Sequence, residues 1–503
     1  MILPEWTIAD LNEKMESGEL TAHQVAELYL QRIEAVDKNG SYLNSVIELN
    51  PDALSIADDL DRERKAGKVR GPLHGIPVLL KDNIDTHDRM QTTAGSLALE
   101  GNIAAKDAFI VRQLRKAGVV ILGKTNLSEW ANFRGKPSVS GWSSRGGLSR
   151  NPYALDRSTS GSSSGSGAAI AANLATVAVG TETDGSIISP SQTNGIVGVK
   201  PTLGLLSRSG IIPTAHSQDT PGPMARTVTD AAILLGAMTG VDAADSATRS
   251  SRKRGLSNYT KALDYDGLKG ARIGVARTMA GKNSRILKIF EHCIEVMKEL
   301  GAMIIDPADV PNFDKFGESE DEVLYYEFKA DLNKYLKILD KHVQVHSLAE
   351  VIKFNNANVD RVMPYFGQER MLLALEKGPL SEAKYKSALA KNLRLTRKDG
   401  IDKTLRKFKL DALIMPSGGP AWTIDLANGD AYNWDMESTS PPAVAGYPHI
   451  TVPAGYVFGL PVGLSFVSTA WQEAKLIKYA FAFEQATQYR RQPRYLASAI
   501  MNV

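Results

Sequence analysis

The sequence predicts an α/β fold organised as one large domain around a sheet with strands buried on both faces. Three observations predict it. Short apolar runs alternate with helical patterns through the first 180 residues, as strand–helix units do. Those runs are apolar at every position rather than at every second one, which is the pattern of strands covered on both sides. Similar runs return after residue 410, where they are expected to rejoin the first sheet. At roughly 150 residues per domain the 503 residues would allow about three domains, but returning strands favour a single discontinuous domain over 1–503 with a helix-rich layer at about 280–410.

In chain order, apolar residues at helical spacing (Leu11, Val25, Leu28, Tyr29, Ile33) predict amphipathic helix from Leu11 to Val36, interrupted by a turn at Gly18. Ile76–Leu80 reads as a strand, Ala108–Ala117 as a helix and Val119–Leu122 as a second strand. An Ala-rich helix over 167–175 leads into a strand at Val177–Val179. The basic stretch with Arg249, Arg252, Lys253 and Arg254 reads as a surface excursion between 240 and 269 rather than an anion-binding patch. Ser284–Leu300 and Glu322–Leu339 are helical, and strands return at Ala412–Met415, Ile450–Val452 and Val462–Phe466.

Composition removes several function classes. Lys plus Arg total 59 against 56 Asp plus Glu, a formal +3, so no strong field selects nucleic acid or an anionic membrane as partner. The lone Cys293 excludes an internal disulfide and any Cys-built metal centre, and neither a metal nor a cofactor is expected. No run approaches the ~18 apolar residues of a membrane span. The start, Met1–Trp6, lacks the basic and apolar regions of a secretory signal, so a cytoplasmic location is expected for the chain as given, or a periplasmic one if a signal has been removed.

Four motifs carry chemistry. Gly118–Thr125 satisfies the phosphate-loop pattern literally, but its intervening residues are β-branched or leucine and predict a buried strand, not a cradle of N–H groups. Ser158–Ser166 is nine consecutive Ser, Thr or Gly residues. As a linker it would be isolated, yet it runs directly into a helix and a strand, where small residues let backbone approach a ligand. Within it Gly161–Gly165 also fits the nucleophile elbow of α/β-hydrolases, with Ser163 as nucleophile and His216, His292, His342, His346 or His449 as possible partners; the preceding Asn151–Arg157 reads as loop, where an elbow needs a strand. In Thr181–Ile187, Ser186 is either an N-cap or an acyl-transfer nucleophile beside its own backbone donors. Lys81, after the apolar Ile76–Leu80, is either a strand-end residue reaching water or a buried base of lowered pKa.

Together, Gly75–Asn83, Leu122–Glu129, the serine loop, Thr183–Ser186, Gly222–Arg226, Ala445–Pro453 and Gly459–Leu464 occur in the order found in the amidase signature family, which the chain resembles. Asn126–Gly135, Gly161–Ser166, Gly180–Ser186 and Tyr325–Lys329 resemble the members that act on peptide amides. The resemblance implies a single α/β/α domain with a mixed sheet flanked by helices, and a Ser-cisSer-Lys triad of Ser186 as nucleophile, Ser162 on a cis peptide bond and Lys81 as base. It also implies an oxyanion hole from the N–H groups of Thr183, Asp184, Gly185 and Ser186, and substrate contacts from Ser163, Phe133 and Asp184.

Two positions depart from the commonest family pattern: Asp184 stands where many members have glycine, and Ile188 where many have arginine. The first must turn away from an oxyanion or bind substrate; the second removes an obvious clamp for an acidic substrate, unless Arg134 or Arg226 supplies it. The implied activity is hydrolysis of the C-terminal amide of a peptide with release of ammonia. The alternatives are a broader amidase acting on aryl amides, carbamates or esters, the amidase component of a tRNA-dependent amidotransferase, which would need partner chains, and a catalytically dead binding protein, which the presence of Lys81, Ser162 and Ser186 disfavours. The expected partner is a small or peptide amide, with no nucleic acid and no membrane, and the chain a monomer or weak homodimer.

Overall fold

The computed structural model describes residues 3–432, 436 and 438–499. Its strands are β1 (Val46–Leu49), β2 (Pro77–Lys81), β3 (Val120–Thr125), the short pair β4 (Trp142–Ser143) and β5 (Gly147–Leu148), β6 (Val177–Glu182), β7 (Val197–Lys200), β8 (Thr220–Ala225), β9 (Arg272–Val275), β10 (Met303–Ile305), β11 (Ala412–Pro416), β12 (His449–Val457) and β13 (Leu460–Val467). Eleven of them form one mixed sheet in the order β1-β3-β2-β6-β8-β7-β12-β13-β11-β9-β10. The returning strands β11 to β13 therefore join the sheet begun by β1 to β3. Every residue of β2, β3, β6, β7, β8, β11 and β13 is buried, which the apolar runs in β2, β3, β6, β11 and β13 predict.

Helices flank this sheet. The first two, Ile8–Ser17 and Ala22–Arg32, are separated at Gly18, whose φ of 77° closes the first helix. Each begins with a threonine capping box, a local signal strong enough to set both starts. The first half of the helix Ser164–Ala171 is Ser-Gly-Ser-Gly, of poor helix propensity, but all eight residues are buried. Packing explains the choice: a Cβ on Gly165 would lie 2.2 Å from the Ser45 carbonyl oxygen. Between 284 and 408 the chain is mostly helical, including the twenty-residue helix Gly317–Leu336. The stretch 240–269 is a loop excursion with short 3₁₀ turns at Ser246–Ser251 and Thr260–Ala262.

Sequence patterning missed β1, β7, β8, β9, β10 and the short pair β4 and β5. The case of β8 is instructive, because Thr-Pro-Gly-Pro-Met-Ala carries two prolines in mid-sheet, a composition that argues against a strand. It pairs with β6 along its whole length, but with β7 only at Met224 and Ala225. At Pro221 and Pro223 the ladder on that side has ended, and a missing N–H needs no partner there.

Two features place the candidate site. Strands β2 and β6 are parallel neighbours, with Leu80 opposite Val179, so their carboxyl ends emerge together carrying Lys81 and the turn that leads to Ser186. That is the end of an α/β sheet where ligands generally bind. The continuation of β3 holds the serine loop against them, through Gly165 N–H to the Asn126 carbonyl at 2.9 Å and Ser128 N–H to the Ser162 carbonyl at 3.1 Å.

Candidate active site

Lys81 is fully buried and does not reach water. Its Nζ donates to Ser162 Oγ at 2.7 Å, to Thr181 Oγ1 at 2.9 Å and to the Thr181 carbonyl at 3.1 Å. Desolvation lowers its pKa to about 7, against the opposing pull of Asp219 and Glu182. Half the lysines are then neutral near pH 7, where an ordinary lysine would be almost wholly charged.

The serine tract is an ordered wall rather than a linker. Eight of its nine residues are buried, and the Gly161–Ser162 peptide is cis. A Cβ at position 161 would sit 2.2 Å from Ser128 Oγ, so glycine is required by close approach. Ser128 Oγ in turn accepts from the Gly141 N–H at 2.9 Å.

After β6 the chain turns through Thr183–Ile187 into the helix Ile188–Thr193. Ser186 is not a cap: its hydroxyl accepts nothing from the helix start, where the N–H groups of Ile187 and Ile188 donate to Glu182 instead. Among the described residues neither the Ser186 hydroxyl nor the N–H groups of Thr183, Asp184, Gly185 and Ser186 has a hydrogen-bond partner, and all four residues line a cavity of about 620 Å³. In a trans peptide the N–H points away from the carbonyl, so holding one aims the other. The Thr183 carbonyl accepts from Gln218 Nε2 at 3.2 Å, and the Gly185 carbonyl from the Ser189 N–H at 2.7 Å. The N–H groups of Asp184 and Ser186 are thereby turned the other way.

Asp184 lines the cavity with its carboxyl accepting a hydrogen bond from Ser440 Oγ, and Thr439 and Glu320 stand beside it. Burial raises its pKa above the ordinary aspartate value, which reduces the negative charge near Ser186. Phe133 also lines the cavity, its ring 4.8 Å from Phe328 and 5.6 Å from Tyr325, with the Arg370 guanidinium 5.1 Å from its centre. Tyr325 and Phe328 belong to the stretch that the sequence singled out.

Ser163 is not brought to the cavity. Its hydroxyl donates to the Thr181 carbonyl at 3.0 Å and accepts from the Thr181 N–H at 3.1 Å, joining the loop to β6. The elbow reading fails on the same geometry. Of its candidate partners, His216 is held by Asp331 and Glu327, and His449 lies buried against Ser465. Neither predicted arginine serves as a clamp. Arg134 is fully buried, paired with Glu129 and stacked 4.0 Å from the Phe366 ring. Arg226 donates to the carbonyls of Ala175 and Trp6, each at 2.8 Å. The cations that do reach the cavity are Arg370 and Lys136, which sequence reading missed, and they face Asp321 at 3.4 and 3.7 Å. Also missed were Asp219, which accepts from Thr183 Oγ1 at 2.6 Å and has its pKa pushed up to about 6 by burial, and the buried Glu182. No local pattern marks either one, since each acts through a fold contact.

A mixed α/β sheet that buries a lysine against a serine, beside a turn of free backbone donors, has the parts of a serine-dependent hydrolase of acyl compounds. The chain belongs to the amidase family: the family model named Amidase matches residues 24–477, and the activity this carries is hydrolysis of amide C–N bonds. It is 43% identical to a probable amidase of Arabidopsis thaliana over 98% of this chain and 92% of that one. The native peptide amidase of Stenotrophomonas maltophilia superposes with a TM-score of 0.93 at 49% identity, covering 97% of this chain and 98% of that one. A putative amidase of Schizosaccharomyces pombe is 38% identical over 100% of this chain and 88% of that one. More distant relatives include a glutamyl-tRNA(Gln) amidotransferase chain of Thermoanaerobacter pseudethanolicus, 35% identical over 99% of this chain and 100% of its own length.

Proposed function

We propose that the protein removes the amide group from the C-terminus of peptides, releasing ammonia, through an acyl-enzyme on Ser186. The observation that carries this reading is the bond from buried Lys81 to Ser162, beside the turn whose hydroxyl and N–H groups face the cavity. Neutral Lys81 accepts the Ser162 proton as Ser162 takes the proton of Ser186, whose Oγ bonds to the amide carbon. The resulting oxyanion is held by the N–H groups of Thr183–Ser186, each such donor being worth roughly 3–4 kcal/mol where it has been measured in hydrolases. Collapse of this intermediate breaks the C–N bond, the relay run backwards protonates the departing nitrogen, and water then hydrolyses the ester to the acid and free Ser186.

The substrate class rests on charge and size. The cavity wall carries Phe133 and Leu324 for an apolar side chain, and the carboxyl of Asp184 stands beside the nucleophile. Burying an unpaired carboxylate there is costly, so a neutral amide enters and the acid product leaves. The test is to incubate the purified chain alone with peptide amides, free amino-acid amides, anilides and carbamates and to measure ammonia or amine release. Peptide amides are expected to react fastest without any partner chain. Preference for anilides or carbamates would favour the broader amidase, and activity only with added partner chains would favour the amidotransferase reading.

A further inference from the structure

The turn from β6 to the helix Ile188–Thr193 is crossed by one side chain that the reaction does not use. Glu182, the last residue of β6, is buried, and its Oε2 accepts from the N–H of Ile187 at 2.7 Å and of Ile188 at 3.0 Å. These are the first donors of a helix, which ordinarily need a capping side chain or water. Here the cap comes from five residues upstream and spans Thr183–Ser186.

Its effect is on direction. The peptide between Ser186 and Ile187 is held at both ends, its carbonyl by the Ser163 N–H at 3.1 Å and its N–H by Glu182. With the Thr183 and Gly185 carbonyls already held elsewhere, no carbonyl of the turn has to swing toward the helix start to accept from it, because Glu182 has satisfied it. The donors left over are those that face the cavity.

The charge of Glu182 has a partner as well. Burial raises its pKa above the ordinary glutamate value, the buried Lys200 being the main cation that opposes this, and its Oε1 has no hydrogen bond among the described residues. The two are not in direct contact, since no ion pair between them is found within 4.0 Å among the described residues. Lys200 donates only to the Pro201 carbonyl, at 3.2 Å, among those residues, and burial lowers its own pKa to about 8.

We infer that Glu182 is a positioning residue for the oxyanion-binding turn, holding the N–H groups of Thr183–Ser186 toward the substrate by occupying those of Ile187 and Ile188. The inference rests on the proposed role of that turn. It is tested with Glu182→Ala, which removes the acceptor, Glu182→Asp, which withdraws it by one methylene, and Glu182→Gln, which keeps an oxygen in place. Steady-state kinetics on a peptide amide are measured beside thermal unfolding for each variant. Loss of aim at one or more donors should lower kcat about 10²–10³-fold in the alanine variant and at least about tenfold in the aspartate variant, with KM within about threefold of the parent. Glutamine should restore kcat to within about threefold.

A folding defect alone would scale down active enzyme without this order, and should the alanine variant fail to fold, the contrast between aspartate and glutamine decides. Parent-like kcat in the alanine or aspartate variant, a loss confined to KM, or a glutamine variant as slow as the alanine one would overturn the role. If Ser186→Ala is inactive while Glu182→Ala is not, only the inference on Glu182 falls. An active Ser186→Ala would overturn both.

Discussion

Lys81 and Lys124 stand at the ends of adjacent strands, β2 and β3, and both are fully buried with three hydrogen bonds each. Desolvation lowers the pKa of both. Their partners differ. Lys124 donates to the carbonyls of Ile84 and Gln91 and to Thr92 Oγ1, and Asp82 and Asp85 oppose its desolvation. Lys81 donates to a serine hydroxyl next to a cavity-lining turn, at the junction of two parallel strands. A buried lysine is therefore no functional signal by itself. What separates the two is whether a hydroxyl partner lies beside the cavity and can pass a proton to a group in it: Ser162 stands next to the cavity-lining Gly161, whereas Thr92, the hydroxyl partner of Lys124, does not line the cavity.

Exchanging each lysine would break this comparison if it is wrong. The largest effect is expected for Lys81→Ala, which should reduce kcat/KM on a peptide amide by on the order of 10³–10⁴ and leave the melting temperature unchanged or raised, since the amine is buried at a cost. Retention of most activity would exclude Lys81 as the base. Lys124→Met should invert that result. It leaves the acceptors Ile84, Gln91 and Thr92 and the nearby Asp85 without their cation, at a cost of about 3–5 kcal/mol in chemical denaturation, while kcat per folded molecule stays near the parent value.

The smallest effect sharpens the contrast through pH. Lys81 is charged below and neutral above a pKa of about 7, so kcat/KM should rise about tenfold between pH 6 and pH 8 and then level off. In a variant of Lys124 that remains folded the same profile should persist. A profile that is flat across this range, or that falls, would separate the activity from the titration of Lys81.

Much of this site was legible locally. Lys81 follows an unbroken apolar strand, Ser186 sits in a turn between a strand and a helix, and the serine tract runs directly into a helix, so the sequence order alone suggests a lysine and serines held by regular structure. Other residues gave no such signal. Ser163 shares the tract with Ser162, yet one hydroxyl meets Lys81 and the other meets the backbone of Thr181, because adjacent residues of a tight turn face opposite ways. Arg134 looked available as a clamp from its place near Phe133, but Glu129 and the carbonyl of Phe366 use its guanidinium. Arg370, more than two hundred residues away in sequence, reaches the cavity instead.

By itself the sequence determined the α/β class, the strands whose every residue is apolar, the return of the chain to its first sheet and the identity of the serines and lysine near the turn. Those are consequences of periodicity and of residue types that few local structures tolerate. Only the tertiary structure decided which of the charged side chains face the cavity, which of the buried lysines meets a serine beside it, and that Glu182 holds the donors after it. Each of these depends on the register between strands and on the packing of distant helices, and a shift of one residue in a strand turns a side chain to the opposite face.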